Sequence, residues 1–451
     1  MRVTVVGGGL AGISAALGCA DGGAQVTVVE VRPRLGGAAY SFERDGMTLD
    51  NGQHVFLRCC TAYRALLARL GTERRTVLQD RLRIPVLAPG GRRAWLRRNS
   101  LPAPLHLAGT LARYGHLSRR ERVRAARAAL ELSRLNAAEE NLDARTFGAW
   151  LAERGQSPQA IEALWNLIAL PTLNMPAADA SLAMAAFVFQ TGLLREADAG
   201  DVGYAAVPLS QLHGEPAERA LRDAGVAVRL GWRAERIAPR AGGGFTLEGR
   251  GEALESDAVI VALPHGRAGG LLPRGAIEDP DRLGRLGTSP IVNLHVVYDR
   301  EVTELPMFAA IRSPVQWAFD RTRAAAVENG QYLGVSISGA ERELAMGRDE
   351  LRALYLPALA QLLPRAREAK VERFEVTREH AATFRAAPGA ARLRPGPRTL
   401  LEGLVLAGSW TATGWPATME SAVRSGMTAA REALGAAPTP VGSSAPKEAV
   451  A

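Results

Sequence analysis

Two periods of apolar and polar residues run along this chain, and each predicts its own elements. Val3-Thr4-Val5-Val6 is a short β-branched run suited to a buried parallel strand. It leads directly into Gly7-Gly8-Gly9-Leu10-Ala11-Gly12, and small residues from Ile13 to Ala20 continue as a helix. Gln25-Val26-Thr27-Val28-Val29 reads as a second strand, ended by Glu30. A further strand is predicted from Ala39 to Glu43, turning at Arg44-Asp45-Gly46. Later strands are predicted over 226–230 and 256–264, with a hairpin-like alternation at Phe245-Thr246-Leu247-Glu248. Ser289 to Tyr298, Gln331 to Ser338 and Val405 to Ala407 also read as strands. A small-residue helix is expected from about Ala417, with Pro416 in its first turn. Arg119 to Leu135 reads as an amphipathic helix, with Val123, Ala126 and Leu130 on one face and arginines on the other.

The length, 451 residues, exceeds one ordinary core and suits two interleaved domains. No apolar run reaches eighteen residues, so no spanning helix is expected. Arg2 and the strand behind it do not read as a signal peptide, which predicts a cytoplasmic protein. Three cysteines, Cys19, Cys59 and Cys60, form no disulfide framework and read as buried or incidental thiols. The net charge of +9 is carried almost wholly by arginine. It reads first as coding bias and second as attraction to an anionic membrane; no pattern of aromatic and basic residues points to nucleic acid. The stretch 101–135, leucines followed by the basic helix, is the candidate for peripheral membrane contact.

The N-terminal turn carries the first chemistry. Gly7, Gly9 and Gly12 hold the G-x-G-x-x-G spacing inside a complete βαβ unit. Gly7 allows the tight turn, Gly9 the approach of a pyrophosphate, and Gly12 close packing of helix on strand. Leu10 and Ala11 open the helix, whose N-terminal amides favour phosphate. Glu30 stands where a carboxylate can accept from ribose hydroxyls. A second polar cluster, Asp50-Asn51-Gly52-Gln53-His54, is bracketed by apolar residues; Gly52 would admit a planar ring, and His54 is a candidate acid or base. A third lies in Ala407-Gly408-Ser409 and Trp410 to Glu420, where helix amides would meet negative charge on a ring.

After Glu30, Arg34, Gly36 and Gly37 match the glutathione-reductase-like FAD enzymes, and that resemblance makes the dinucleotide FAD. The three blocks together resemble the amine oxidase/phytoene desaturase superfamily. Asp50 to His54 with Trp410 to Glu420 is similar to the squalene-associated FAD-dependent desaturases, the hydroxysqualene dehydroxylases of hopanoid pathways. Shorter likenesses lie at 100–107, 165–174 and 207–209, so the resemblance covers essentially residues 1–435. Ala38, where the family usually has Arg, and Ser409, where it usually has Asp, depart from the pattern.

The resemblance implies an α/β fold: a Rossmann-like FAD-binding domain with a parallel sheet and β-meander, interleaved with a mixed α+β substrate domain. FAD would occupy residues 1–80, 217–272 and 392–435; the substrate domain would take 81–216 and 273–391; 436–451 reads as a disordered tail. Asn51, Gly52, Gln53, Ala234, Gly408, Ser409, Ala417, Thr418 and Met419 would join the cofactor site, with Ala234 beside the adenine. The implied reaction is reductive removal of the allylic hydroxyl of hydroxysqualene to give squalene, in a long apolar tunnel. His54 is the first candidate acid and Glu420 the second, and an external electron donor is required. The alternatives are a carotene-desaturase-like or amine-oxidase-like dehydrogenase, with Trp410 and Trp415 as an aromatic cage, and an inactive homologue scaffolding isoprenoid enzymes.

Overall fold

The unbroken apolar run Val3 to Val6 is buried along its whole length, as a central parallel strand must be. The structure, a computed structural model, describes residues 1–137 and 139–435. The predicted tail, 436–451, lies outside the described residues. The Arg2–Val6 strand sits in the middle of a five-stranded parallel sheet. The order is Ala227–Leu230, Gln25–Glu30, Arg2–Val6, Ala258–Val261 and Leu404–Leu406. Stretches more than three hundred residues apart thus share one sheet.

Two small-residue helices cover that sheet. Leu10–Asp21 follows the glycine turn, and Met419–Ala433 follows the C-terminal loop. They cross in close contact: Ser14 Oγ donates to Val423 O at 3.1 Å. A Cβ on Gly426 would strike the Ala11 carbonyl and lie 2.9 Å from Ala15 N. The expected position of Pro416 is corrected here. The helix starts at Met419 with Thr418 as its N-cap, so Pro416 stands ahead of the first turn. Thr418 Oγ1 accepts from Ser421 N, and a hydroxyl cap outcompetes proline for defining the start.

The alternating Phe245–Gly249 strand is the middle of an antiparallel meander, between Arg236–Pro239 and Glu252–Ser256. A second, seven-stranded sheet runs Val371–Thr383, Ser289–Tyr298, Gln331–Ser338, Trp317–Asp320, Met307–Ala310, Arg83–Ala88, Arg92–Arg97. Helices between residues 108 and 194 pack around Phe147, Trp150, Trp165 and Phe189. The architecture is α/β, with the parallel sheet interwoven with mixed α+β structure.

The Arg119–Arg134 helix forms as predicted, opened by a reciprocal Ser118–Glu121 capping box. Its faces are not as predicted. Ala125, Ala128 and Leu132 point inward, while Val123 and Leu130 are 53% and 45% exposed. Ala126 is exposed beside them. Small side chains bring this helix close to its neighbours, so the stripe of alanines wins the interior over the larger aliphatics. No helix among the described residues is long and apolar enough to cross a membrane.

Candidate functional site

The glycine turn is built against its neighbours at backbone distance. Gly7 has φ +111°, and a Cβ there would lie 2.5 Å from the Ala262 carbonyl. A Cβ on Gly12 would strike the Gly7 carbonyl. Gly36 N donates to Gly8 O at 2.9 Å, and Gly9 meets Gly36 and Gly37 backbone to backbone. Glu30 is buried; Oε2 accepts from Gly8 N at 2.7 Å and Oε1 from Arg32 N at 2.8 Å. A carboxylate has further lone pairs, so ribose hydroxyls can still be received.

The helix that begins at Leu10 has no side-chain cap and no acid in its first turn. The amides of Leu10, Ala11 and Gly12 have no partner within the helix. Arg34 lies over the Tyr40 ring, 3.6 Å from its centroid, and its Nη1 reaches the Gly37 carbonyl at 3.3 Å. Its Nη2 is buried and unpaired among the described residues. Burial, then the Arg32 charge, lowers its pKa from the ordinary arginine value. An uncapped helix start beside a guanidinium with an unused donor fits the diphosphate of a dinucleotide. The Trp232 indole N–H is likewise buried and unpaired, and its backbone N donates to Glu30 O. Ala234 follows it, which places the 231–234 segment along the nucleotide side; Trp232 was not foreseen, because nothing in its sequence context marks it.

The Asn51–His54 segment divides in two. Asn51 has both amide protons engaged. Its Nδ2 donates to Ala38 O and Glu379 Oε1, and its Oδ1 accepts from Tyr40 N. It therefore staples the 38–40 loop to the Val371–Thr383 strand, and its side chain keeps only the second lone pair of Oδ1 for a further partner. Gly52 faces a side chain rather than an open plane: a Cβ there would lie 3.0 Å from Asn293 Nδ2. Asn293 in turn donates to Asn51 O. Gln53 and His54 line a cleft with Val55, Tyr204, Leu209, Phe319 and the Asp50–Arg321 pair. Gln53 Nε2 is buried there without a partner among the described residues. His54 Nδ1 lies 3.1 Å from Gly52 O. Burial lowers the His54 pKa below its ordinary value, against the opposing pull of that carbonyl and of the Asp50 and Glu379 carboxylates.

The space at these residues, about 200 Å³ with adjoining solvent included, has both polar and apolar groups in its lining. Arg321 and Asp50, joined at 2.8 Å, put a buried ion pair in its wall.

The C-terminal loop is organised by an arginine that sequence reasoning missed. Arg394 is buried and donates to the carbonyls of Ser409, Trp410 and Thr411 and to Thr413 Oγ1. Burial pushes its pKa down to about 10. Gly408 N donates to Ser425 Oγ at 2.8 Å, and the Ser409 carbonyl accepts from Ser421 Oγ. Ala417, Thr418 and Met419 form the entry to the helix. Trp410 donates its indole N–H to Leu263 O, whereas Trp415 packs on Phe187 and under the Arg424 guanidinium. The two indoles are committed to different neighbours and make no cage for an amine.

Glu420 is a helix cap. Its Oε1 accepts from Ala62 N at 3.1 Å and from Arg424 Nε at 2.6 Å; its Oε2 accepts from Tyr63 N at 2.7 Å. Those amides open the Thr61–Arg69 helix, where a carboxylate anion is favoured. Both of its oxygens are thus engaged in holding the start of that helix.

His213, also missed, joins the three distant blocks. It is completely buried, and its Nε2 lies 2.7 Å from the Tyr63 hydroxyl. A Cβ on Gly36 would lie 3.8 Å from the His213 Cβ. Burial, and then neighbouring His54, push the His213 pKa down to about 3. The glycine turn thus reaches Glu420 through Gly36, His213 and Tyr63.

Residues 10–434 match the family model described as flavin containing amine oxidoreductase. A protein named hydroxysqualene dehydroxylase from Sinorhizobium fredii is 28% identical, over 96% of this chain and 98% of its own. A 15-cis-phytoene desaturase from Narcissus pseudonarcissus is 26% identical, over 94% of this chain and 78% of its own. Among solved structures, wild-type putrescine oxidase bound to putrescine shares the fold, with a TM-score of 0.70 at 20% identity, covering 96% of this chain and 99% of that one.

Proposed function

Since the chain belongs to the flavin containing amine oxidoreductase family and is an FAD-dependent oxidoreductase, we propose that it converts hydroxysqualene to squalene by reductive removal of the allylic hydroxyl. The observation that carries this is the end-to-end likeness to hydroxysqualene dehydroxylase, 96% of this chain against 98% of that protein. The desaturase likeness covers less of its partner, 78%. The committed contacts of Trp410 and Trp415 speak against an amine substrate.

The residues present fit FAD. Gly9 to Gly12 and Arg34 would hold the diphosphate, Glu30 the ribose, and the Trp232–Ala234 segment the adenine side. Gly408, Ser409 and Ala417 to Met419 would face the ring. Residues 1–80, 217–272 and 392–435 would form the cofactor part of the molecule. Reduced FAD, when bound, would supply the hydride that replaces the hydroxyl, and an external electron donor would restore that reduced form. Leu209 and Phe319 present apolar groups to the cleft, which would disfavour water beside an allylic cation. Gln53 Nε2 donates to the substrate oxygen, and His54 delivers the proton with which that oxygen leaves as water.

The test is anaerobic incubation of the yellow holoprotein with hydroxysqualene and a chemical reductant, with products separated by mass. Squalene is the expected product. Oxidation of phytoene with a quinone, and no squalene, would move the protein to the desaturases. A colourless protein that cannot be reconstituted with FAD would favour a scaffold.

A further inference from the structure

We propose that the surface formed by the Arg92–Arg97 edge strand and the Ala108–Ala112 and Arg119–Arg134 helices docks on an anionic lipid membrane. The first observation is where the charge lies. Between residues 81 and 135 there are thirteen arginines against two glutamates, a surplus of eleven, while the surplus of the whole chain is nine. The rest of the molecule is therefore slightly acidic. Coding bias replaces lysine by arginine everywhere; it does not gather cations into one segment.

The second observation is that the fold joins this segment into one surface. Thr110 Oγ1 accepts from Arg97 N and donates to Trp95 O, pinning the short helix to the edge strand. Arg122 donates to the carbonyls of Ala112 and Leu117, pinning the long helix to the short one. Arg113, Arg119, Arg120 and Arg127 enter no ion pair among the described residues and face solvent.

The third observation is the apolar content. Of ten large apolar side chains exposed among the described residues, four fall here: Leu101, Leu105, Val123 and Leu130, each 45–56% exposed. Val123 and Leu130 are two helical turns apart, on the same face as Arg119, Arg120 and Arg127. Aliphatic residues interspersed with unpaired cations match the interface of an anionic bilayer, where the chains enter the acyl boundary and the guanidiniums meet phosphate. Binding of single-stranded nucleic acid calls instead for a series of exposed aromatics; Trp95 of the edge strand is half-buried and already covered by Arg83 and Arg93, and the four exposed residues are all aliphatic.

An apolar seam runs inward from this surface. Leu107, Tyr114 and Leu117 pack in one cluster with Met307, Phe319 and Tyr204. Phe319 and Tyr204 line the cleft at His54. A substrate that partitions into lipid would thus enter from the docked face.

The experiment is co-sedimentation of holoprotein with vesicles of phosphatidylcholine alone or mixed with phosphatidylglycerol, at about 50 mM and about 500 mM salt. Binding is expected to the mixed vesicles only, weakened about tenfold or more by salt. The triple reversal Arg119→Glu, Arg120→Glu, Arg127→Glu should weaken it about tenfold or more. Val123→Asp with Leu130→Asp should weaken it even at low salt. An equal change of net charge elsewhere, Arg219→Glu, Arg222→Glu, Arg274→Glu, should leave binding within about twofold. Flavin absorbance checks the fold of each variant, and if a variant loses flavin, the lipid and salt dependence of the unaltered protein decides. Binding indifferent to lipid charge, absence of binding, or equal loss in the remote reversal overturns the proposal. So does tighter binding to single-stranded RNA that the same reversal abolishes. The readout needs no substrate, so its failure leaves the proposed reaction untouched.

Discussion

His54 and Glu420 entered as two candidate acids and have opposite surroundings. Glu420 spends both oxygens on helix amides and Arg424. Glu420→Gln should therefore lower stability by about 1–3 kcal/mol, read as a drop in Tm, and leave the pH profile of turnover unaltered. His54 lines the cleft, and its pKa lies below the ordinary histidine value. If it delivers the proton, turnover must fall as pH rises through that lowered pKa. His54→Asn should cut kcat by about 10²–10⁴-fold and abolish that fall, while the flavin spectrum persists. His213 and His295 add a stability effect, because burial pushes both down to about 3. The unfolded chain binds protons near pH 6.5 and the folded chain does not, so stability present above pH 6.5 is lost as pH falls. At pH 5 each should cost about 2 kcal/mol, measurable as the shift in urea midpoint between pH 7 and pH 5 and reduced in His213→Asn.

At the scale of elements, the cofactor side depends on two backbones held unusually close. The helices Leu10–Asp21 and Met419–Ala433 touch where Gly426 faces the Ala11 carbonyl and Ala15 N. The neighbour is backbone and cannot rotate aside, so even Gly426→Ala must part the helices. The expected cost is about 1–3 kcal/mol, with weaker FAD retention because the phosphate-facing helix start moves with it. Arg394 holds the 409–413 loop by four acceptors. Arg394→Lys keeps the charge but loses the planar fork. Purified Arg394→Lys protein should carry less FAD per chain, and added FAD should restore absorbance only in part.

The whole molecule is woven from separated stretches. The parallel sheet takes strands from residues 2–30, 227–261 and 404–406, while the mixed sheet takes strands from 83–97 and 289–383. Asn51 and the Asp50–Arg321 pair tie the two: Asn51 donates to Glu379, and Arg321 donates to Asp50. Neither part can open without breaking these bonds. Calorimetry should show one transition rather than two. Excess FAD at about a hundred times its Kd should stabilise the fold by about 2.7 kcal/mol, and the single peak should move as a whole. A separate low-temperature peak insensitive to FAD would contradict this coupling.

From sequence alone, the local chemistry of the nucleotide turn was readable, because a strand, three glycines, a small-residue helix and Glu30 lie within one short stretch whose spacing is its geometry. The strands at 289–298 and 331–338 and the helix from Arg119 were readable for the same reason: periodicity is local. What only the tertiary structure decided is which polar residues are spent. The amide protons of Asn51 and the carboxylate of Glu420 looked available; the first are taken by Ala38 and Glu379 and the second by the Thr61–Arg69 helix and Arg424. His213, Trp232, Arg321 and Arg394 looked ordinary and stand in the wall or frame of the site. The outward turn of Val123 and Leu130 likewise depended on which face its neighbours could admit. A side chain's chemistry is fixed by its own atoms, but its remaining capacity to bind is set by partners far away in the chain, and those are chosen only when the chain packs.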